Sequence, residues 1–520
     1  MNARQFLLKA ENKLFHTNDK RYRSWFLSHR VSAETLCAQR AVRFETEPLV
    51  SILVPVYKTP VPFLREMIES VLRQSYGRFE LILANASPEV KELSEVLSEY
   101  GEKDRRIKVV DLPENGGISR NTNEAFRHAE GEFTALFDHD DLLEPDALYA
   151  YVSVLNEKPE SEVFYCDEDK VTEAGNDWFF PNFKPDLSPA MLRSTNYICH
   201  FLMLRTELFR KLGGLDPRFD GAQDYDLVLR AFERTKNFVH VPRILYHWRS
   251  HAASTAKSMD TKNYAADAGK RALKAHLERL GIRAEVLDAD NPGWFHIDPE
   301  LPKGTIREIV LPRGNTGEKL KMLLNAAGAS GSEEYTLIRE EGTEALSEAQ
   351  KALLLARFAF PETGAAGPRL LYAGGMTESA GIHIRKDGRI LHFSRGEETG
   401  KPGYMCRAIT ASNVQALSFS CILVRTEILR EWLRERELNR EAPDPFRSGN
   451  ASDKLAAKLG LFMQENGLGF MVMEPRALVR TDRKEPALGF SEAWMGKRVP
   501  EIPEDPFYNP NFSETRPFLV

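Results

Sequence analysis

Cysteine is scarce in this chain. The five residues Cys37, Cys166, Cys199, Cys406 and Cys421 are odd in number and scattered over 520 positions, which excludes a disulfide framework and a zinc-type spacing and points to a reduced, cytoplasmic setting. No apolar run approaches transmembrane length, and the first residues lack a signal-peptide pattern. No long basic block is present and the net charge is −6, so nucleic acid is not expected as a partner. What is there is ordinary globular composition, 42% hydrophobic and 28% charged, in a chain too long for one core. Two or three domains are expected.

Residues 1–46 are rich in Lys and Arg, with Phe6, Leu7, Leu14, Phe15, Tyr22, Trp25 and Phe26 interspersed. This reads as a helical arm. It can lie on an anionic membrane surface or pack on the next domain; its apolar positions are not strongly one-sided, which favours packing. From Val50 the pattern alternates. Strands are predicted at 50–57, 79–84, 107–110 and 133–137, with amphipathic helices between them, the first marked by Phe63, Leu64, Met67, Ile68, Val71 and Leu72. Such alternation implies βαβ units and a mainly parallel sheet.

The second half echoes the first. Residues 202–208 (LMLRTEL) resemble 422–428 (ILVRTEI), 52–55 resemble 309–312, and 79–82 more weakly resemble 335–338, in the same order. An internal duplication of one α/β module follows, with boundaries at 47–257 and 303–500, a helix and linker strand over 258–302, and a Pro- and Asn-rich tail over 501–520 that wraps a domain surface.

Chemistry-bearing residues cluster at strand ends. Asp138-His139-Asp140-Asp141 follow the strand at 133–137. Carboxylates there either share a hard divalent cation or cap the helix that follows, and on their own both readings stand. Asn115 to Asn121 form a glycine-containing loop entering a helix, an anion-binding arrangement or a plain turn. Gln223-Asp224-Tyr225-Asp226-Leu227 open a helix after Gly221, so that one acid is a candidate general base or a cap. His247-Trp248-Arg249 offer an imidazole for a metal and a guanidinium for phosphate. Cys166-Asp167-Glu168-Asp169-Lys170 read as a metal or acceptor site or as a solvated turn.

These motifs, with Val54-Pro55-Val56-Tyr57 and Gly213-Gly214-Leu215-Asp216, resemble the inverting, nucleotide-sugar-dependent glycosyltransferases of GT-A fold, and most closely the bacterial transferases of surface-polysaccharide, O-antigen or rhamnan assembly. The resemblance spans 47–256, and Asp505-Pro506-Phe507-Tyr508-Asn509-Pro510 is similar to the ending of tandem proteins of that group. It implies that Pro55, Tyr57 and Asn85 line the base pocket, with Gly117 and Arg120 among the nucleotide-sugar-binding residues. It also implies that Asp138 faces the ribose and metal, that Asp140 and His247 bind Mn or Mg, that Arg249 grips the diphosphate, and that Asp224 deprotonates an acceptor hydroxyl. The implied partners are a nucleotide-sugar donor and a glycan or lipid-linked acceptor, with peripheral membrane contact and polysaccharide-assembly proteins compatible with both.

Two departures temper it. Asn85 stands where the family usually has an acid. The second module has no Asp between Asp298 and Asp387. It offers Leu, Ala, Arg and Phe over 352–360, near the expected metal motif, and Lys and Ala after Ser452, near the expected base. It reads as a degenerate transferase domain for packing, acceptor binding or partner contact. The alternatives are a non-catalytic carbohydrate-binding or scaffold protein, a polymerase with two working sites, which the missing acids oppose, and a nucleotidyltransferase.

Overall fold

The computed structural model describes residues 21–251, 259–328, 332–438, 445–485 and 504–512. The first sheet holds β1 (Val50–Val56), β2 (Phe79–Asn85), β3 (Ile107–Asp111), β4 (Phe133–Leu136), β5 (Leu142–Leu143), β6 (Val163–Thr172), β7 (Trp178–Asn182), β8 (Leu202–Arg205) and β9 (Phe238–Ser250). Its order is β3-β2-β1-β4-β8-β6-β9-β5, with β7 beside β6. Strands β1 to β4 run parallel, whereas β8 is antiparallel to both β4 and β6. All seven residues of β1 are buried, as a strand covered on both faces requires. The helix Val61–Leu72 turns Leu64, Met67, Ile68 and Val71 inward, each worth about 1.5–3 kcal/mol of burial. The chain leaves β1 toward β2 and β3 on one side and returns to β4 on the other. That reversal opens a crevice at the carboxyl ends of β1 and β4, where ligands bind in such sheets.

A hairpin of β10 (Ala284–Asp288) and β11 (Phe295–Pro299) follows the helix Met259–Arg279, where a single linker strand was predicted. The second sheet then comprises β12 (Ile306–Leu311), β13 (Tyr335–Glu340), β14 (Thr363–Leu371), β15 (Thr377–Ser379), β18 (Ser412–Val414), β19 (Cys421–Arg425) and β20 (Phe470–Arg480); β16 (Ile382–Ile384) and β17 (Ile390–His392) pair separately.

The run β12-β13-β19-β14-β20 repeats β1-β4-β8-β6-β9 in order, direction and chain sequence. Register repeats too. Phe133 pairs with Arg205 as Tyr335 pairs with Arg425, and the hydroxyls of Thr134 and Thr206 meet at 2.9 Å, as do those of Thr336 and Thr426. The counterpart of 335–338 is therefore β4, not β2 as the echo of 79–82 suggested. Among the described residues nothing stands for β2 and β3: one helix, Thr316–Gly328, fills the interval between β12 and β13.

The two modules share bonded contacts. Ser188 Oγ donates to Asn413 Oδ1 at 2.9 Å, and Arg193 pairs with Glu362. Within the arm, residues 21–29 form a helix whose Tyr22 and Phe26 are buried with Phe183 and second-module residues, so this part packs; Phe6, Leu7, Leu14 and Phe15 lie outside the described residues. Among the described residues no helix is long and apolar enough to cross a membrane, and the five cysteines are free.

Candidate active site

The acid cluster sits at the crevice. Strand β4 ends at Leu136, and the chain then turns through Asp138 to Asp141 before β5 pairs with β9. Asp141 is buried and anchors the turn: it accepts from the Tyr246 hydroxyl at 2.5 Å and from the Arg249 main-chain N–H at 2.8 Å. With Asp141 fixed inward, Asp138 and Asp140 keep partly exposed side chains, 43% and 19% accessible. His251 Nε2 lies 2.8 Å from Asp140 Oδ2.

Asp138 Oδ2 lies 3.6 Å from His200 Nε2, and His200 Nδ1 lies 3.1 Å from Glu168 Oε2. The His200 ring stacks on Tyr246 at 4.4 Å. Desolvation pushes the His200 imidazole down, but the carboxylates of Asp138 and Glu168 outweigh it and hold its pKa well above the ordinary value, so the ring is a cation at neutral pH. Desolvation likewise pushes the Asp138 carboxyl up, and His200 outweighs that, leaving it below the ordinary range. Glu168 is buried, yet Lys184 and His200 hold it at about 2.

Asp224 takes the second position of the helix Gln223–Arg234 and accepts from the Asn196 amide at 2.7 Å. Burial raises its carboxyl above the ordinary value, while the His200 charge and the Asn196 amide restrain the rise. This suits a base that must take a proton from a weak acid. Its neighbour Asp226 is buried against Arg230 at 2.7 Å and serves the helix.

The other predicted residues fall in several places. Pro55 is buried in β1, and Tyr57, just past it, is 40% exposed with Lys58 over its ring. Asn85 ends β2, buried; its amide donates to Asp111 at 2.8 Å and its oxygen accepts from Ser87 N–H at 3.1 Å. Gly117 caps the helix Ile118–Phe126 at φ +90°, where a Cβ would stand 2.8 Å from the Asp220 carboxylate, and Arg120 is exposed on that helix.

Two predicted residues are not brought to the crevice. Both ring nitrogens of His247 are engaged, Nδ1 with Asp169 at 2.5 Å and Nε2 with Glu144 at 3.0 Å, so it is a buried strut rather than a partner of Asp140. Arg249 is fully buried over Phe63, donating to Asp140 O, Glu173 O and the Glu66 carboxylate at 2.6–2.7 Å. It braces the acid turn from behind. The stretch Cys166 to Lys170 is neither a solvated turn nor an open acid site: it lies in β6, and Asp167, Glu168 and Asp169 are buried and each paired.

Sequence reasoning missed His251, His200 and Asn196. His251 carried a signal, since it lies two residues past Arg249 and strand side chains repeat every second residue. His200 and Asn196 lie in an irregular stretch with no periodicity to mark them.

For a divalent cation, Asp140 and His251 supply a carboxylate and an imidazole beside the half-exposed Asp138, a donor set that fits Mn or Mg. Glu168, Cys199 and His200 also gather their ligand atoms, but the Lys184 ammonium already stands 2.9 Å from Glu168 and takes the place of a cation.

Sheet order, switch-point crevice and acid cluster define an α/β module of the nucleotide-binding kind. Residues 51–213 match the family described as Glycosyl transferase family 2, and through this module the chain belongs to that family; its fold is GT-A. An uncharacterized protein of Sinorhizobium fredii is 31% identical over 80% of this chain and 52% of its own length. The O-antigen biosynthesis protein RfbC of Myxococcus xanthus is 27% identical over 95% of this chain and 42% of its own. The chain thus spans about half the length of these relatives. Among solved structures, S. aureus TarS 1–349 in complex with UDP-GlcNAc is similar at 16% identity and TM-score 0.37, covering 44% of this chain and 66% of that one.

Proposed function

We propose that the first module transfers a sugar from a nucleotide-diphosphate sugar to a hydroxyl of a polysaccharide or lipid-linked glycan, with inversion at the anomeric carbon, in the cytoplasm. The observation that carries this reading is the convergence of Asp138, His200 and Asp224 at the switch-point crevice, with Asp140 and His251 beside them. Asp224 takes the proton of the acceptor hydroxyl. The oxygen then bonds to the anomeric carbon as the bond to the diphosphate oxygen breaks, and that electron pair leaves with the nucleoside diphosphate. Tyr57 and the end of β2 flank the base side of the crevice. Asp140 and His251, rather than Asp140 and His247, would hold a Mn or Mg ion, which when bound neutralises charge on the departing diphosphate. His200 keeps Asp138 ionised, and Arg249 holds the acid turn in register.

The test is a screen of nucleotide sugars for Mn-dependent thermal stabilisation, followed by transfer assays with Asp140→Ala and Asp224→Asn. Stabilisation by one donor class with loss of transfer in both variants supports the reading. Full transfer in Asp224→Asn would remove it as base. One observation favours a second reading, a carbohydrate-binding scaffold: both ends of the Asn85 amide are already bonded, to Asp111 and to the Ser87 N–H. Absence of stabilisation by any nucleotide sugar, with retained glycan binding, would select it. For the second module we propose a packing role. The residue at the Asp138 position in its register is Glu340, which is closed off by Lys319, Arg483 and Ser452.

A further inference from the structure

The segment 504–512 belongs by sequence to the end of the second module, yet it is bonded to the first. Asn509 is buried, and its amide donates to both carboxylate oxygens of Asp167 and to the Lys184 carbonyl, each at 2.9 Å. Its own oxygen accepts from the Asn511 N–H, and the Asn511 amide reaches Pro242 O at 2.7 Å. Upstream, Pro506 O accepts from the Asp186 N–H at 2.8 Å. Phe507 O accepts from Arg407, and Asp505 pairs with His383. The segment therefore grips residues 184–186 from outside while second-module side chains hold its other side.

Inside that grip, Lys184 is wholly buried. Its main-chain N–H donates to Asp167 at 2.8 Å. Its ammonium donates to Glu168 at 2.9 Å, to Ile198 O at 2.6 Å and to His200 O at 2.7 Å. A buried ammonium with three acceptors fixes all three, because moving any one of them leaves a desolvated charge short of a partner. Two of the acceptors belong to the loop that carries His200, and the third, Glu168, holds the His200 ring. One continuous set of hydrogen bonds thus runs from Asn509 through Lys184 and Glu168 to His200, whose ring pairs with the Asp138 carboxylate at 3.6 Å.

We propose that the segment 504–512 is a positioning strap for the active site: Asn509 and Lys184 are positioning residues that set the His200 loop against Asp138, so the first module is complete only with the end of the second docked on it. This rests on the transferase reading only for its consequence, transfer; the mechanical coupling is independent of it. Cys199 makes the coupling measurable. It lies in the same loop next to His200, half-buried, with its thiol donating to the Asn196 carbonyl at 3.3 Å; that bond, together with desolvation that raises the thiol, should make it slow to alkylate while the loop is held.

The experiment follows alkylation of each cysteine by iodoacetamide in the native full-length chain, read by mass spectrometry. The exposed Cys37 serves as internal standard, and the buried Cys166 and Cys421 as reporters of global opening. In Asn509→Ala, Cys199 should react about tenfold faster or more, the scale set by losing hydrogen bonds to a charged group, with Cys166 and Cys421 still protected. With the donor found in the screen above, kcat should fall and the donor KM should hold. An unchanged Cys199 rate in a variant with a lowered Tm would make the strap a stability element alone and overturn the proposal. Should Cys166 and Cys421 also open, Asn509→Ser, which keeps a donor, is read in its place; general opening in both variants likewise overturns it. Faster Cys199 alkylation in a chain that proves to transfer no sugar would keep the coupling and retire the transferase reading.

Discussion

His251 Nε2 lies 2.8 Å from Asp140 Oδ2, while His247, four residues earlier on the same chain segment, points both of its ring nitrogens into buried carboxylates. This geometry separates two histidines of one short motif. His251→Ala should weaken Mn binding by about 10- to 100-fold, because it removes the imidazole beside the Asp140 carboxylate. His247→Ala should leave Mn affinity within about twofold and lower Tm instead, because it takes the imidazole away from two buried carboxylates, leaving Asp169 with the Tyr22 hydroxyl and Glu144 with Arg30. Titration of Mn followed by electron paramagnetic resonance, alongside a thermal melt, measures both.

The raised Asp224 carboxyl predicts the acid limb of the transfer profile. A base must be ionised, so activity should climb with pH through the Asp224 pKa, which burial places above the ordinary aspartate value and the His200 charge keeps from rising further. Removing that charge in His200→Gln should move the limb to higher pH. Asp224→Asn should lower kcat by about 10²-fold or more and abolish the limb, with Tm nearly unchanged. An unshifted limb in His200→Gln would separate Asp224 from His200 electrostatically.

The His247 strut sets an alkaline limit on stability. Burial pushes its imidazole down, but Asp169 and Glu144 outweigh that and raise its pKa to about 9 from an ordinary 6.5. A group whose folded pKa is raised stabilises fully below its unfolded pKa and loses that contribution as pH rises through the folded one. Tm should therefore hold below about pH 6 and then fall, on the order of 5 °C, by pH 9.5. In His247→Gln the decline should be shallower. Because His247 also contacts Phe26 across its ring, the helix at 21–29 should loosen first, seen as earlier proteolysis near Arg23.

How much of this the sequence disclosed depends on the kind of signal. Strands β1 to β4 and the helices between them were legible because apolar runs, buried on both faces in β1 and β2, and one-sided helical spacing are written in local patterns. So was the acid cluster, since charges after an apolar run mark a strand end. Pairing was not legible. Whether His247 or His251 meets Asp140 depends on the register of β9 against β5 and β6, which carries two bulges between Cys166 and Glu168. The partner of 335–338 was misread for a related reason. Short apolar strands look alike, and only the Thr336–Thr426 pairing, repeating Thr134–Thr206, shows that β13 takes the place of β4. The strap at Asn509 lies beyond local pattern altogether, with partners more than three hundred residues away.

That register sharpens the account of the second module. Glu340 lies five residues past Tyr335, as Asp138 lies five past Phe133, so the chain keeps an acid at the crevice of each module. In the second, Lys319 reaches Glu340 from the helix Thr316–Gly328, which occupies the interval where β2 and β3 run in the first. Ser452, second in its helix as Asp224 is in the other, bonds Glu340 at 2.9 Å. An ammonium held there neutralises the acid. Lys319→Met should then be costly, about 3 kcal/mol in urea unfolding, because among the described residues Glu340 keeps only Arg483 and Ser452 as side-chain partners. It should leave donor binding at the first module unchanged within about twofold. A loss of donor affinity in Lys319→Met, with the chain still folded, would make the second crevice part of the working site.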